Sequence, residues 1–346
     1  MRRVRRAEGY STAAWLALIL VPLAAMTLCV CLGSVSLSVH DTFETIGCLI
    51  RGEPAPEGIA AGIIPIRLPR VLRVTLVGAA LSLCGAAMQG LLRNPLADGS
   101  TMGVSAGASL GAVISLAFGI AIPGLPLAGT MGMAMLFAFG SLMLILSLAY
   151  LLDRSLDTHS IILIGVIFSM FASSLMSLVI SFSGDRIHSI TFWTMGSLAS
   201  GGYTEVLVLL GALILPGGML LRLAPELNSF AVGEENAQGL GVPVRRVKLT
   251  VLICVSVLIG VCVSIGGTIA FVGLVTPHIA RMIVGPNHRR LLPASLSFGA
   301  VFLLLTDLLA RTVLNPRELN LGVVTSLVGA VLFVIIFYRT GRGAKR

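Results

Sequence analysis

The sequence predicts an all-α membrane protein, a polytopic bundle of about ten transmembrane helices forming one domain over residues 1–346. Three observations carry this. Charged residues make up 11% of the chain and hydrophobic ones 56%, whereas a water-soluble domain carries about 25% charged residues. Residues 9–40, 99–152, 158–184, 249–280 and 319–338 contain no Asp, Glu, Lys or Arg, and one membrane crossing needs roughly 20 apolar residues. These runs do not alternate in segments of about ten residues, as the strands of an outer-membrane barrel would.

The first element is the apolar run from Ala13 to Leu32, behind Arg2, Arg3, Arg5 and Arg6. A secretion signal has an apolar core of about 7–15 residues, so this longer run reads as a retained first span with its arginines in the cytoplasm. Residues 34–69 carry Asp41, Glu44, Arg51, Glu53, Pro54, Pro56 and Glu57; they are too polar to cross and are expected as an extracytoplasmic loop. Further spans follow at 70–91, 103–122, 127–151 and 160–182. Residues 184–200 read as a short extracytoplasmic helix on the membrane surface, and 204–222 as the sixth span. Residues 223–246 form a polar inner loop bounded by Pro225 and Pro243. The last spans are 247–265, 270–284, 292–312 and 320–338. Placing the first residues inside puts 17 Lys/Arg on cytoplasmic segments and 7 outside, the asymmetry expected of a protein with both ends in the cytoplasm.

Composition excludes several functions. The net charge of +9 comes from basic residues in short loops between apolar runs, where they orient the protein in lipid rather than bind nucleic acid. Cys29, Cys31, Cys84, Cys254 and Cys262 lie in apolar runs, where cysteine acts as a small hydrophobe; with Cys48 they give neither a disulfide framework nor a metal site. Lys248 is followed by Leu249 and Lys345 by Arg346, so the chain lacks the Gly-Lys-Ser/Thr of a phosphate-binding loop. Any ATP that drives it is hydrolysed by another chain.

Ion-coupled carriers place ionisable residues at mid-membrane, and the predicted span interiors have none. Asp307 stands four residues before Arg311, the favourable order for a helical ion pair. His278 after Pro277 reads as a packing residue. No nucleophile or metal constellation suggests an enzyme. The second and third spans carry small residues every fourth position, Gly78, Ser82, Ala86, Gly90 and Gly103, Gly107, Gly111, Ser115, Gly119, which let helix backbones approach closely. In the fifth span, Ser169, Ser173 and Ser177 share a face, flanked by Met170 and Ser174. Hydroxyls and adaptable thioethers suit the wall of a wide translocation path; the same stripe also suits helix packing.

Several segments resemble one family. They are Ile66-Arg67-Leu68-Pro69-Arg70; Gly78-Ala79-Ala80-Leu81-Ser82-Leu83-Cys84-Gly85-Ala86-Ala87-Met88-Gln89; Asn94-Pro95-Leu96-Ala97-Asp98; and Gly103-Val104-Ser105-Ala106-Gly107. With them go Phe192-Trp193-Thr194-Met195-Gly196, Gly233-Glu234-Glu235, Gly273-Leu274-Val275-Thr276-Pro277-His278 and Glu318-Leu319-Asn320-Leu321-Gly322. Together these are similar to the iron-complex and cobalamin permeases of type II ABC importers. The resemblance implies a ten-helix permease of a prokaryotic cytoplasmic (inner) membrane, working as a homodimer or paralogous heterodimer. It also implies two ATPase subunits on the cytoplasmic face, which bind the ATP and Mg, and an extracytoplasmic binding protein that delivers a metal chelate. No cofactor is expected in this chain. Ferric siderophore leads among chelates because such members are numerous; haem and cobalamin are the others.

Carried onto this chain, the resemblance assigns binding-protein docking to Arg67, Arg70 and Arg311, for which interfacial anchoring and the Asp307 pair are the plainer readings. It assigns ATPase coupling to Gly233, Glu234, Glu235, Ala237 and Gly241, which local chemistry casts as a helix–turn–helix broken at Gly233, or as an ordinary solvated loop. Asn94, Pro95, Gly103, Gly107, Pro277 and His278 fall in its structural motifs. The family often has Pro where this chain has Gly99, Asn320 and Val331, so local bends there are expected to differ. The alternative function is a secondary, ion-coupled carrier of a small solute.

Overall fold

The computed structural model describes residues 10–53, 58–99, 103–120, 122, 128–152 and 158–343. Pro54, Pro56, Glu57, Arg154, Lys345, Arg346 and the arginines at 2, 3, 5 and 6 lie outside them. Among the described residues the α-helices are α1 (Thr12–Cys31), α2 (Val39–Arg51), α3 (Ile59–Leu91), α4 (Val104–Phe118), α5 (Ala128–Leu152), α6 (Thr158–Ser181), α7 (Ile187–Thr194), α8 (Tyr203–Ala212), α9 (Gly218–Arg222), α10 (Ala224–Phe230), α11 (Glu234–Gly239), α12 (Val244–Gly266), α13 (Val272–Val284), α14 (His288–Thr312) and α15 (Leu321–Gly343). Among the described residues, seven helical stretches are long and apolar enough to cross a membrane, and α4, α13 and α15 supply three shorter apolar helices. These ten coincide with the ten predicted spans to within a few residues, except that α3 starts eleven residues early.

The early start corrects the reading of 34–69 as a loop. Ser38 caps α2 by accepting from Asp41 N (3.0 Å), and Gly52 ends it in the left-handed conformation at φ 69°. The helix turns Thr42, Thr45 and Cys48 inward and leaves Phe43 and Ile50 exposed. Seven residues separate its last residue from Ile59, where α3 begins and runs for 33 residues, about 50 Å at 1.5 Å per residue. Pro65 and Pro69 lie inside α3, each leaving the carbonyl four residues earlier without its helical donor, and Arg73 Nε donates to the Pro69 carbonyl (3.3 Å). The sixth span is α8 and α9 joined by a π-helical turn at Leu213–Gly217, which contains Pro216. Proline has no N–H for the regular ladder, and the extra residue in that turn absorbs the mismatch.

The core is built on α3, α12 and α14, whose buried faces hold most of the buried side chains. Glycine lets their backbones touch. A methyl group at Gly78 would overlap the Gly299 carbonyl oxygen, and one at Gly85 the carbonyl oxygen of Gly273. Thr276 Oγ1 donates to Ser82 Oγ (2.7 Å) across the same seam. The second stripe does the same work: Gly107 faces the Ser141 side chain and Gly111 the Met133 carbonyl. Both stripes are therefore helix-packing seams.

The bundle has two chemically distinct ends. At one, the Tyr10 hydroxyl donates to the Arg290 carbonyl (2.6 Å); burial, partly offset by the Arg290 charge, pushes this phenol up to about 12, so it remains a donor. Asn228 joins the same end through Asn287. At the other, Arg67 reaches the 30–35 segment, and Asn315 Nδ2 donates to Ser34 O (3.5 Å). We refer to these as the Tyr10 end and the Arg70 end.

Candidate functional site

Three regions hold the predicted site residues. At the Arg70 end, Asp307 is fully buried on α14 and gathers two arginines. Arg70 donates to its Oδ1 from Nε (3.2 Å) and Nη2 (3.0 Å), and Arg311 Nε forms an ion pair with Oδ2 at 3.0 Å. Arg70 Nη1 also donates to Glu318 (2.8 Å), which is 42% exposed. Arg67 donates to Val30 O (3.0 Å) and Val35 O (2.6 Å), and Arg311 to Cys29 O (3.2 Å). Arg73, unremarked in the sequence, is almost fully buried beside them and donates to Ser200 O.

This corrects one expectation. Arg67, Arg70 and Arg311 are not exposed cations awaiting a partner: all three are buried and engage internal acceptors. A carboxylate arriving from outside meets a cluster already part-neutralised, in which Glu318 is the exposed acid. The i, i+4 pair of Asp307 with Arg311 is present, with Arg70 as a second cation. The view that the spans lack buried charge also changes, because α3 extends past its arginines and draws them into the bundle. Near this end, His188, Phe192, Trp193, Ser200 and Glu205 border a cavity of about 510 Å³ that sequence reading missed, since its walls come from distant segments.

The residues expected to line the path lie on α6. Met170, Ser173, Ser174 and Ser177 are exposed and Ser169 is half-buried. Three hydroxyls are satisfied within the helix: Ser169 donates to Gly165 O (2.8 Å), Ser174 to Met170 O (3.0 Å) and Ser177 to Ser173 O (3.0 Å). Packing inside the subunit therefore does not explain Ser173, Ser174 or Ser177. They present a smooth face of small groups to whatever lies beyond this chain.

At the Tyr10 end, residues 224–243 fold as the helix–turn–helix that local chemistry suggested. Gly233 separates α10 from α11 at φ 104°, a conformation that favours glycine. Glu234 and Glu235 open α11, where the helix dipole favours acidic groups. Ala237 is buried and anchors the short helix. Gly241, at φ 86°, donates to Gln238 O (2.9 Å) while Val242 N donates to Ala237 O (3.1 Å), a Schellman stop. Glu234 forms an ion pair with the buried Lys248 of α12 (2.7 Å), so it points partly inward. Glu235, Gln238 and Leu240 remain exposed. Glu235 and Gln238, with Val242, Arg245 and Arg246, border a groove of about 550 Å³.

The motif residues have structural duties. Asn94 Oδ1 accepts from Leu96 N (2.9 Å), closing a turn around Pro95. Gly103 starts α4 at φ 74°, and Gly107 is the α4–α5 contact described above. Pro277 is buried within α13 and His278 half-buried. Of the positions where the family often has Pro, Gly99 lies against the Ile259 side chain, which a Cβ would overlap, and Val331 sits exposed within an unbroken α15.

Ten apolar helices among the described residues, several in glycine contact, a helix–turn–helix at one end and a buried charge cluster at the other define a polytopic membrane permease. The chain belongs to the FecCD transport family, whose model matches residues 18–339. It is 44% identical over 280 residues to an uncharacterised ABC transporter permease of Bacillus subtilis, covering 81% of this chain and 79% of that one. It is 35% identical over 333 residues to a molybdate import system permease of Haemophilus influenzae, covering 95% of each. Other relatives are named for hemin, cobalamin and ferric dicitrate. A solved structure described as an inward-facing, metal-chelate type ABC transporter superposes with a TM-score of 0.82 at 32% identity, covering 95% of this chain and 100% of that one. The chain is thus a non-enzymatic transmembrane subunit of an ABC importer, and ATP hydrolysis belongs to a separate ATPase.

Proposed function

We propose that this chain imports a metal chelate across the cytoplasmic membrane of a prokaryote, working as a homodimer with two ATPase subunits and an extracytoplasmic binding protein. The observation that carries this reading is the α10–Gly233–α11 element, a compact helix pair with an exposed polar rim at the end of a lipid-matched bundle. Gly233, Glu234, Glu235, Ala237 and Gly241 build it, and it is shaped to enter a cleft on an ATPase. The cationic residues predicted on the same side support a cytoplasmic Tyr10 end. The exposed α6 face of Met170, Ser173, Ser174 and Ser177, with Ser169 at its edge, then faces the partner subunit across the translocation path.

Docking falls to the Arg70 end, with the roles of its residues revised. Glu318, the one half-exposed member, can be displaced from Arg70 by a carboxylate of the binding protein, while Arg67 and Arg311 hold the platform. Ferric siderophore is the favoured cargo, with haem and cobalamin next; relatives named for hemin, cobalamin and ferric dicitrate support that range, and the molybdate relative marks oxyanions as the competing class. The test is reconstitution of the chain with its ATPase and binding protein in liposomes, followed by ATP-dependent uptake of ferric siderophore, haem, cobalamin and molybdate. Uptake of one chelate that stops without the ATPase confirms the reading. Uptake driven by an ion gradient alone would overturn it.

A further inference from the structure

Helix α14 carries polar groups at both ends. His288 begins it at the Tyr10 end, and Asp307 lies nineteen residues on, about 28 Å away at 1.5 Å per residue. Between them α14 lies against α3 at backbone contact, with Gly78 and Gly299 each blocking a methyl group on the other. Near the Tyr10 end Gly90 packs directly on the His288 ring. At the far end Arg70 of α3 is bonded to Asp307 of α14. Helices in such close-packed contact resist sliding, so α3 and α14 form one strut spanning the bundle.

Asn228 of α10 fastens the helix–turn–helix to this strut. Its Oδ1 accepts from His288 N (2.8 Å) and lies 2.9 Å from His288 Nδ1. A carbonyl oxygen cannot donate, so this second bond places the imidazole proton on Nδ1. Asn228 Nδ2 donates to Asn287 Oδ1 (2.9 Å), the atom that also caps α14 by accepting from Arg289 N (3.0 Å). Three polar contacts from one side chain thus grip the first turn of α14. Beyond Gly233, α11 is held elsewhere, through Glu234 to Lys248 of α12. The two halves of the element therefore pull on different helices, on either side of a glycine break.

We propose that Asn228 is a positioning residue that passes displacement of the α10–α11 element into the α3–α14 strut, and so to the charge cluster around Asp307. This rests on the reading that α10–α11 meets the ATPase. Coupling between two binding events is reciprocal: engagement of the binding protein at the Arg70 end then alters how the ATPase is held at α10–α11 through the same residue, and stimulation of hydrolysis reads that change.

The experiment uses the complete complex in lipid nanodiscs, comparing wild type with Asn228→Ala. The variant is expected to assemble and to keep basal ATP hydrolysis within twofold, while stimulation by the binding protein and import each fall at least tenfold. Glu318→Gln, at the far end of the strut, supplies a control that a local structural role would not satisfy. If both residues act on one line, the double variant is no worse than Asn228→Ala alone. Multiplying losses, or wild-type stimulation in Asn228→Ala, overturn the proposal. Should Asn228→Ala fail to assemble, Asn228→Asp carries the test; it keeps the acceptor for His288, loses the bond to Asn287 and is expected to lower stimulation two- to fivefold, with wild-type stimulation again counting against it. A wild-type chain that recruits no ATPase would overturn the underlying reading, and the proposal with it; a normal complex with unaltered Asn228→Ala coupling overturns the proposal alone.

Discussion

Replacing Asp307 with Ala is the sharpest probe of the charge cluster. Asp307 has no solvent exposure and is the only carboxylate in contact with Arg311 among the described ion pairs. Its loss leaves two buried guanidinium groups, of which Arg70 retains Glu318 and Arg311 retains only the Cys29 carbonyl. Removing one partner of a buried ion pair costs about 3–5 kcal/mol because the remaining charge is stranded. That equals a roughly 140- to 3700-fold shift in the unfolding equilibrium, at tenfold per 1.4 kcal/mol. Glu318→Gln removes a half-exposed partner from the same arginine and should cost only about 0–1 kcal/mol. Unfolding in mixed detergent micelles, followed by circular dichroism, measures both. A triple change, Arg70→Leu, Asp307→Leu and Arg311→Leu, should recover most of the loss, since apolar replacement of buried ion clusters is often neutral. Equal costs for Asp307→Ala and Glu318→Gln would refute the reasoning that burial sets the value of this cluster.

Four other outcomes are expected. Gly233→Trp forces a side chain into a backbone conformation at φ 104°, strain of order 1–3 kcal/mol; import should fall while ATP hydrolysis persists or the ATPase is lost, as read by uptake and co-purification. Ser173→Trp should block uptake without harming assembly, because the side chain is exposed on α6; wild-type transport would assign that face to lipid. Gly85→Ala drives a methyl group into the Gly273 carbonyl and should destabilise the protein by about 1–3 kcal/mol, the usual cost of overpacking, seen as a lower melting temperature. Charge reversal at Arg67 and Arg70 together should disturb folding before docking, because both are buried; Glu318→Gln should instead change binding-protein affinity in a salt-dependent way, measured by titration at two ionic strengths.

Much of this protein is determined by sequence alone. The ten crossings are a matter of apolar length, and length is local, so span boundaries at 127–151, 160–182 and 204–222 fall within two residues of the helices. The break at Gly233 is equally local, because positive φ is a property of a single residue; for the stop, local chemistry leaves Gly239 and Gly241 open, and the structure places it at Gly241. Tertiary structure alone decided the rest. Arg70 and Asp307 are 237 positions apart, and no periodicity tells an arginine that a buried carboxylate will meet it; read in isolation, Arg67 and Arg70 belong at a membrane surface. The same distance hid Asn228 and His288, sixty residues apart, and the inward turn of Arg73. Even α2 was concealed, because a short helix whose buried face is Thr42, Thr45 and Cys48 looks like a polar loop until α3 is there to pack against. A chain specifies its helices through neighbours in sequence, but the partners of a buried charge are chosen by the helices that happen to surround it in the fold.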